Sequence, residues 1–245
     1  MDNITIIIAT RNRAGKLRRC LASIPLEPWI RVIVGCDGDP GMAVALLVSK
    51  SPYRPVDLVI ASRDHIGSIA MRNLMAPMAG DGLLQLCDDM DFQPGAIEKA
   101  LDSFNRHFPD DDGVLGIHQE GVDSYHPTGI FLMGQRFLQR YPGKQIMFPG
   151  YRHYGAQEIH RLADSLGRFA FEPEAAVYHH HPGAHKSEVD QTHRESQMCK
   201  EQDQALSLER QREGKIWGQP ETPKTKGVKK PPLDRAIKPE ETETR

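Results

Sequence analysis

Ile4, Thr5, Ile6, Ile7, Ile8 and Ala9 form an unbroken, mostly β-branched run with no polar alternation. Such a run is expected to be a strand buried on both faces, the situation of strands inside a helix-covered parallel sheet. Parallel strands need long crossovers, usually helices, and the sequence supplies them. After the polar turn Thr10, Arg11, Asn12 and Arg13, residues 15–24 carry Leu17, Leu21 and Ile24 at helical spacing until Pro25 stops the helix. Residues 30–35 read as a second strand ending in the turn chemistry of Asp37, Gly38, Asp39 and Pro40, and a helix follows over 42–49. The alternation continues with a strand at 56–61, a helix at 67–78 and a strand at 82–87. That strand runs directly into Asp88, Asp89 and Asp91, and Pro94 then opens a helix reaching His107.

This β-α-β-α-β-α-β order implies an α/β fold of the Rossmann-like kind: an open, mainly parallel sheet with helices on both faces. Ligands of such sheets bind beyond the carboxyl ends of the strands. Residues 10–13, Asp37 and residues 88–91 all fall there. The second half is less regular. Strands are expected at 113–118 and 129–133, a helix at 154–166, and two short strands between 169 and 179 around Glu172 and Pro173. One domain over 1–185 is expected, with a ligand-binding half at 1–107 and a second half at 108–185. Residues 186–217 read as a charged helix docked by a narrow face bearing Val189, Met198, Leu206 and Leu208. Residues 218–245 read as a disordered tail; Lys224, Lys226, Lys229 and Lys230 lie close to Glu240, Glu241 and Glu243, as in a solvated linker.

Several classes are excluded. Lys plus Arg at 31 against Asp plus Glu at 33 leaves a net charge of −2, with no global field for nucleic acid or anionic lipid. The longest apolar stretches fall far short of the ~20 residues that cross a bilayer. Asp2, Arg11, Arg13 and Lys16 break up any secretory leader, so a cytoplasmic location is expected. Cys20, Cys36, Cys87 and Cys199 form no CxxC pair, so neither a zinc knuckle nor a disulfide framework is expected.

Three groups of residues can carry chemistry. Asp88, Asp89 and Asp91 crowd like charges where the sheet presents ligands, which a divalent cation or solvent must relieve. Carboxylates suit Mg²⁺ or Mn²⁺, with substrate phosphate and water completing the shell; the same residues also suit a solvated helix-capping turn. His179, His180 and His181 follow a strand whose alternation lets one or two of them reach a common site, and His179, nearest the strand, is the candidate ligand. Glu158, in the first turn of its helix, can face a cleft and deprotonate a hydroxyl, or simply favour the helix dipole. Arg11, Arg13, Arg63 and Arg72 lie near the binding edge and can hold a diphosphate or a base.

In this order the residues resemble glycosyltransferase family 2 and related nucleotide-sugar-dependent transferases of the GT-A fold, over residues 4–182. Residues 6–13 with the helix to Ile24 resemble the family's first strand and nucleotide-contacting loop. Asp37 with Gly38 and Asp39 is similar to its base-contacting turn, and Gly67 with Arg72 and Asn73 to its helix over the diphosphate. The segment from Leu86 to Gly95 resembles the metal-binding Asp-x-Asp motif, the working pair being Asp89 with Asp91 or Asp88 with Asp89. Residues 155–158, Arg161, Gly167, Pro173 and His179 resemble the closing block with its acidic pair and terminal histidine.

The resemblance implies Mn²⁺- or Mg²⁺-dependent transfer of a sugar from a nucleoside-diphosphate sugar, UDP being the expected nucleotide, to a hydroxyl, with inversion. Its site residues would be Thr10, Arg11, Arg13, Asp37, Arg63, Gly67, Arg72, Asp88 and Asp89 for the donor. Asp89, Asp91 and His179 would hold the metal, and Glu158 would act as the base. The acceptor's class stays open among glycan, metabolite, protein and modified nucleobase. Two departures stand out: Gln157 replaces a usual acid and Glu158 a usual aspartate. A degenerate GT-A-like binding module and a sugar nucleotidyltransferase are the competing readings; the latter usually has a glycine-rich basic loop that residues 10–13 do not form.

Overall fold

A computed structural model describes residues 1–48, 55–120, 127–182 and 186–219; the tail expected at 218–245 lies almost wholly outside them. One sheet holds eight strands: β1 (Ile4–Thr10), β2 (Ile30–Cys36), β3 (Leu58–Ala61), β4 (Gly82–Cys87), β5 (Met90–Phe92), β6 (Val114–Glu120), β7 (Phe131–Met133) and β8 (Phe169–His179). Their order across the sheet is β3-β2-β1-β4-β7-β6-β8-β5. The first four are mutually parallel, with Ile4 opposite both Ile30 and Gly82. Beyond β4, β7 runs antiparallel to both β4 and β6, β6 and β8 are parallel, and β5 pairs antiparallel with β8.

The helices are α1 (Ala14–Ala22), α2 (Pro40–Val48), α3 (Ser68–Met75), α4 (Ala96–His107), α5 (Gln135–Leu138), α6 (Gln157–Ser165) and α7 (Gln191–Arg212). β1 is central and buried on both sides, as its composition requires. Ile4, Ile6 and Ile8 pack with Leu17 and Leu21 of α1 and Phe104 of α4. Ile7 faces the other layer, among Ile69 and Met75 of α3 and Ile159 and Leu162 of α6. Full burial of such a side chain stabilises by about 1.5–3 kcal/mol.

Three elements differ from the sequence reading. Residues 90–92, not expected as a strand, form the edge strand β5, because Met90 and Phe92 alternate inward with Asp91 between them and β8 offers a free edge. Residues 169–179 form one strand rather than two: the backbone passes Pro173 at a register shift against β6 between Ile117 and His118, which absorbs the missing donor. The face that docks α7 is mostly polar: His193, Ser196, Asp203 and Arg210 are buried, and of the expected apolar set Leu206 packs against the core, whereas Val189, Met198 and Leu208 are exposed. Among the described residues no helix is long and apolar enough to cross a membrane.

Candidate active site

Because β1, β2 and β4 are parallel and in register, Thr10 lies beside Cys36 and Ala9 beside Cys87. The three strands thus deliver the 10–13 loop, Asp37 and Asp88 to one edge. There a cavity of about 560 Å³ is lined by Thr10, Arg11, Arg13, Asp37, Gly67 and Arg72, and by Asp88, Asp89 and His179. Arg63 is exposed and Glu158 and Asp91 turn elsewhere; none of the three lines the cavity.

The floor is a charged lattice. Asp88 accepts from the Thr10 hydroxyl at 2.8 Å and from Arg13 Nη1 at 2.9 Å. Arg13 also reaches Asp89 at 3.4 Å and makes a two-pronged pair with Asp190, Nε at 2.8 Å and Nη2 at 2.9 Å. Asp89 Oδ1 lies 3.4 Å from His179 Nε2 and Oδ2 lies 3.5 Å from His193 Nε2. These neighbours split two adjacent carboxyls. Burial raises the Asp88 pKa, with the Asp89 charge adding to it and Arg13 only partly offsetting both. Burial acts the same way on Asp89, but His179, His193 and Arg13 overcome it and hold the group well below the usual carboxylate range.

The pairing of β5 with β8 places His179 opposite Met90 and Tyr178 opposite Asp91. Alternation then sends His179 to Asp89 inside the cavity and His180 to Asp91 outside it, with His180 Nε2 2.6 Å from Asp91 Oδ2. Asp91 is tied further to Arg19 at 3.0 Å. Of the two aspartate pairs left open by the sequence, Asp88 and Asp89 are therefore the one at the cavity. Among the described residues no group of three or more His, Cys, Asp or Glu side chains is arranged to hold a metal. Asp89 and His179 nonetheless supply oxygen and nitrogen donors side by side, and among the described residues His179 Nδ1 is buried without a hydrogen-bond partner. Two protein donors with phosphate oxygens and water completing the shell fit Mg²⁺ or Mn²⁺.

Asp37 is an organiser. Its carboxylate accepts from the backbone of Ile66 at 2.7 Å and Gly67 at 3.0 Å, with Ser62 Oγ at 3.3 Å, so it fixes the loop entering α3. Gly67 has φ +95°, open to glycine but strained for other residues. Gly38, at φ +62°, lets Arg11 approach so closely that a Cβ would stand 2.6 Å from Nη1. Arg72 is 8% exposed. Among the described residues its Nη2 bonds the Cys87 thiol at 3.4 Å and its Nε has no partner, leaving a buried guanidinium with donors to spare.

Glu158 differs from the expectation. It is buried and accepts from Tyr151 Oη at 2.6 Å, Arg210 Nε at 2.6 Å and Nη2 at 3.0 Å, and the Trp217 backbone at 2.7 Å. Burial opposes its charge, but these donors hold it below the usual carboxylate range. As arranged, it is an anchor for α7 with no lone pair facing the cavity. Gln157, one position earlier, lines the cavity instead.

Sequence reasoning expected the helix α7 but missed the polar contacts it brings to the site. Glu195 reaches Arg11 at 3.1 Å, and Asp203 accepts the backbone amides of Arg152, His153 and Tyr154 at 3.0, 2.7 and 2.8 Å. The signal was present in buried-polar spacing: His193, Ser196, Asp203 and Arg210 recur at three and seven residues, one helix face.

The fold is of the GT-A type. No protein-family model matches the chain. It is similar to the uncharacterized glycosyltransferase YwdF of Bacillus subtilis (strain 168), 29% identical over 171 residues, which cover 68% of this chain and 61% of that protein. The chain thus spans about three fifths of the length of the curated relative it matches. Among solved structures, S. aureus TarS 1-349 in complex with UDP-GlcNAc superposes with a TM-score of 0.56 at 16% identity, over 76% of this chain and 61% of that one. GalNAc-T7 with UDP, GalNAc and Mn²⁺ superposes with a TM-score of 0.53 at 12% identity, over 71% of this chain and 43% of that one.

Proposed function

We propose that the chain is a glycosyltransferase that moves a sugar from a UDP-sugar to an acceptor hydroxyl, with a divalent cation at Asp89 and His179 and with inversion at the anomeric carbon. The observation that carries this reading is the convergence of Thr10, Arg13, Arg72, Asp88, Asp89 and His179 on one cavity at the carboxyl ends of parallel strands. UDP, UDP-GlcNAc and Mn²⁺ in the TarS and GalNAc-T7 complexes support the choice of donor and metal.

In this reading Arg72 gives its spare N–H groups to the diphosphate, a charge-assisted contact in a water-poor site. Arg13 balances Asp88 and Asp89, and Asp37 keeps the 62–67 loop open to the nucleotide. The cation, when bound, neutralises charge on the leaving diphosphate. In-line attack by the acceptor oxygen inverts the anomeric centre.

The test is a thermal-shift panel of UDP, GDP, CDP and dTDP, each with and without Mn²⁺. Metal-dependent stabilisation by UDP alone is expected, since a ligand of the native state raises its melting temperature; equal shifts with all four, or none, would remove the UDP-sugar reading. The engagement of Glu158 by Arg210 favours a second reading, a module that binds the nucleotide sugar without transferring it. Metal-dependent UDP release from a UDP-sugar excludes that module.

A further inference from the structure

We propose that His160 is the general base of the transfer, a role that rests on the glycosyltransferase reading above. The register of α6 is the first observation. Gln157 and His160, three residues apart, both line the cavity, as neighbours on one helix face do. Glu158, one residue after Gln157, is rotated by about 100° around the helix axis and is buried with Ile159, Leu162 and Ala163. The helix therefore presents an amide and an imidazole to the cavity, and an amide cannot take a proton.

The second observation is availability. A base needs a lone pair within reach of the acceptor. Asp88 and Asp89 are committed to Arg13, and Glu195 to Arg11. Asp37 is filled by backbone amides, and His153 is paired with Ser68 at 3.2 Å. The His160 imidazole makes one ring contact, edge-on to Phe169 at 4.5 Å. Among the described residues it has no hydrogen bond or ion pair. The contact with Phe169 orients the ring and leaves its nitrogens uncommitted.

The acceptor O–H proton passes to the His160 ring nitrogen, and the acceptor oxygen bonds to the anomeric carbon. The bond from that carbon to the β-phosphate oxygen breaks, its electron pair leaving with UDP. The His160 imidazolium returns its proton to solvent. Glu158 contributes at a distance, by anchoring α7 through Arg210 and the Trp217 backbone.

The experiment uses the full chain with Mn²⁺ and a panel of UDP-hexoses and UDP-N-acetylhexosamines, following UDP release with water as acceptor. For His160→Ala, kcat is expected to fall by about 10²-fold or more, with KM and the calorimetric Kd for UDP unchanged. The acid limb of the pH profile should disappear, and added imidazole should restore turnover in proportion to its concentration. Retention of kcat to within about threefold, or loss of kcat without imidazole rescue, overturns the assignment. Should the wild type neither bind UDP with Mn²⁺ nor release it from any donor, the glycosyltransferase reading fails first and His160 falls with it.

Discussion

Arg210 donates to both carboxylate oxygens of Glu158, Nε to Oε1 at 2.6 Å and Nη2 to Oε2 at 3.0 Å, joining the end of α7 to the first turn of α6. The guanidinium also lies over the Phe148 ring, 3.7 Å from its centre. Both partners are buried, so each charge depends on the other.

Glu158→Gln leaves Arg210 without its counter-charge. Breaking a buried pair from one side costs about 3–5 kcal/mol, which in a protein of this size lowers Tm by roughly 10 °C. The double variant Glu158→Leu with Arg210→Met, which removes both charges, should regain part of that loss, the remainder reflecting the Tyr151 hydroxyl and Trp217 amide left without their acceptor. Thermal unfolding of the two variants and the wild type checks the coupling.

Acid should unfold the protein through the same groups. Glu158 and Asp190 are held below their usual range, Glu158 by Arg210 and Tyr151 and Asp190 by Arg13 and Lys16, in both cases against burial. A depressed folded-state pKa contributes stability that is full above the unfolded carboxylate value, about 4. That stability is lost as pH falls through the lower folded value. Urea midpoints measured across pH should therefore hold near neutrality and fall below pH about 4, less steeply in Asp190→Asn than in the wild type.

Asp89 and Asp91 should separate cleanly. Asp89→Ala is expected to abolish the Mn²⁺-dependent stabilisation by UDP. Asp91→Ala should preserve it, because that carboxylate serves Arg19 and His180 outside the cavity. Thermal shift with UDP, with and without Mn²⁺, reads both variants.

Arg72→Lys keeps the charge but removes the fork of donors. Losing one charge-assisted hydrogen bond costs about 1.5–3 kcal/mol, so UDP affinity should drop by roughly 10- to 100-fold. Calorimetric titration with UDP and Mn²⁺ measures it; an unchanged Kd would take the guanidinium out of the diphosphate contact.

Local chemistry alone determined the first half of this fold. Runs such as Ile6 to Ile8 and residues 82–87 have one good environment, the interior of a parallel sheet, and the rule that such sheets bind at their carboxyl ends then carried Thr10, Arg13, Asp37 and Asp89 to one edge. Arg72 was legible for the same reason, since its helix follows β3 directly. These inferences need only the chain's own neighbours in sequence.

What the tertiary structure decided are matters of face and of distant pairing. Whether Asp88 or Asp91 joins Asp89 depends on β5 pairing with β8, some ninety residues away in the chain, because a strand's alternation has no absolute direction until a partner fixes it. Whether Glu158 meets the cavity depends on how α6 is rotated, and that rotation is set by the packing of Ile159 and Leu162 together with Arg210, fifty-two residues later. The role of α7 was least readable of all. Its docking face is made of His193, Asp203 and Arg210, polar residues that resemble any solvated helix surface until their buried partners Arg13, the 152–154 backbone and Glu158 are in place.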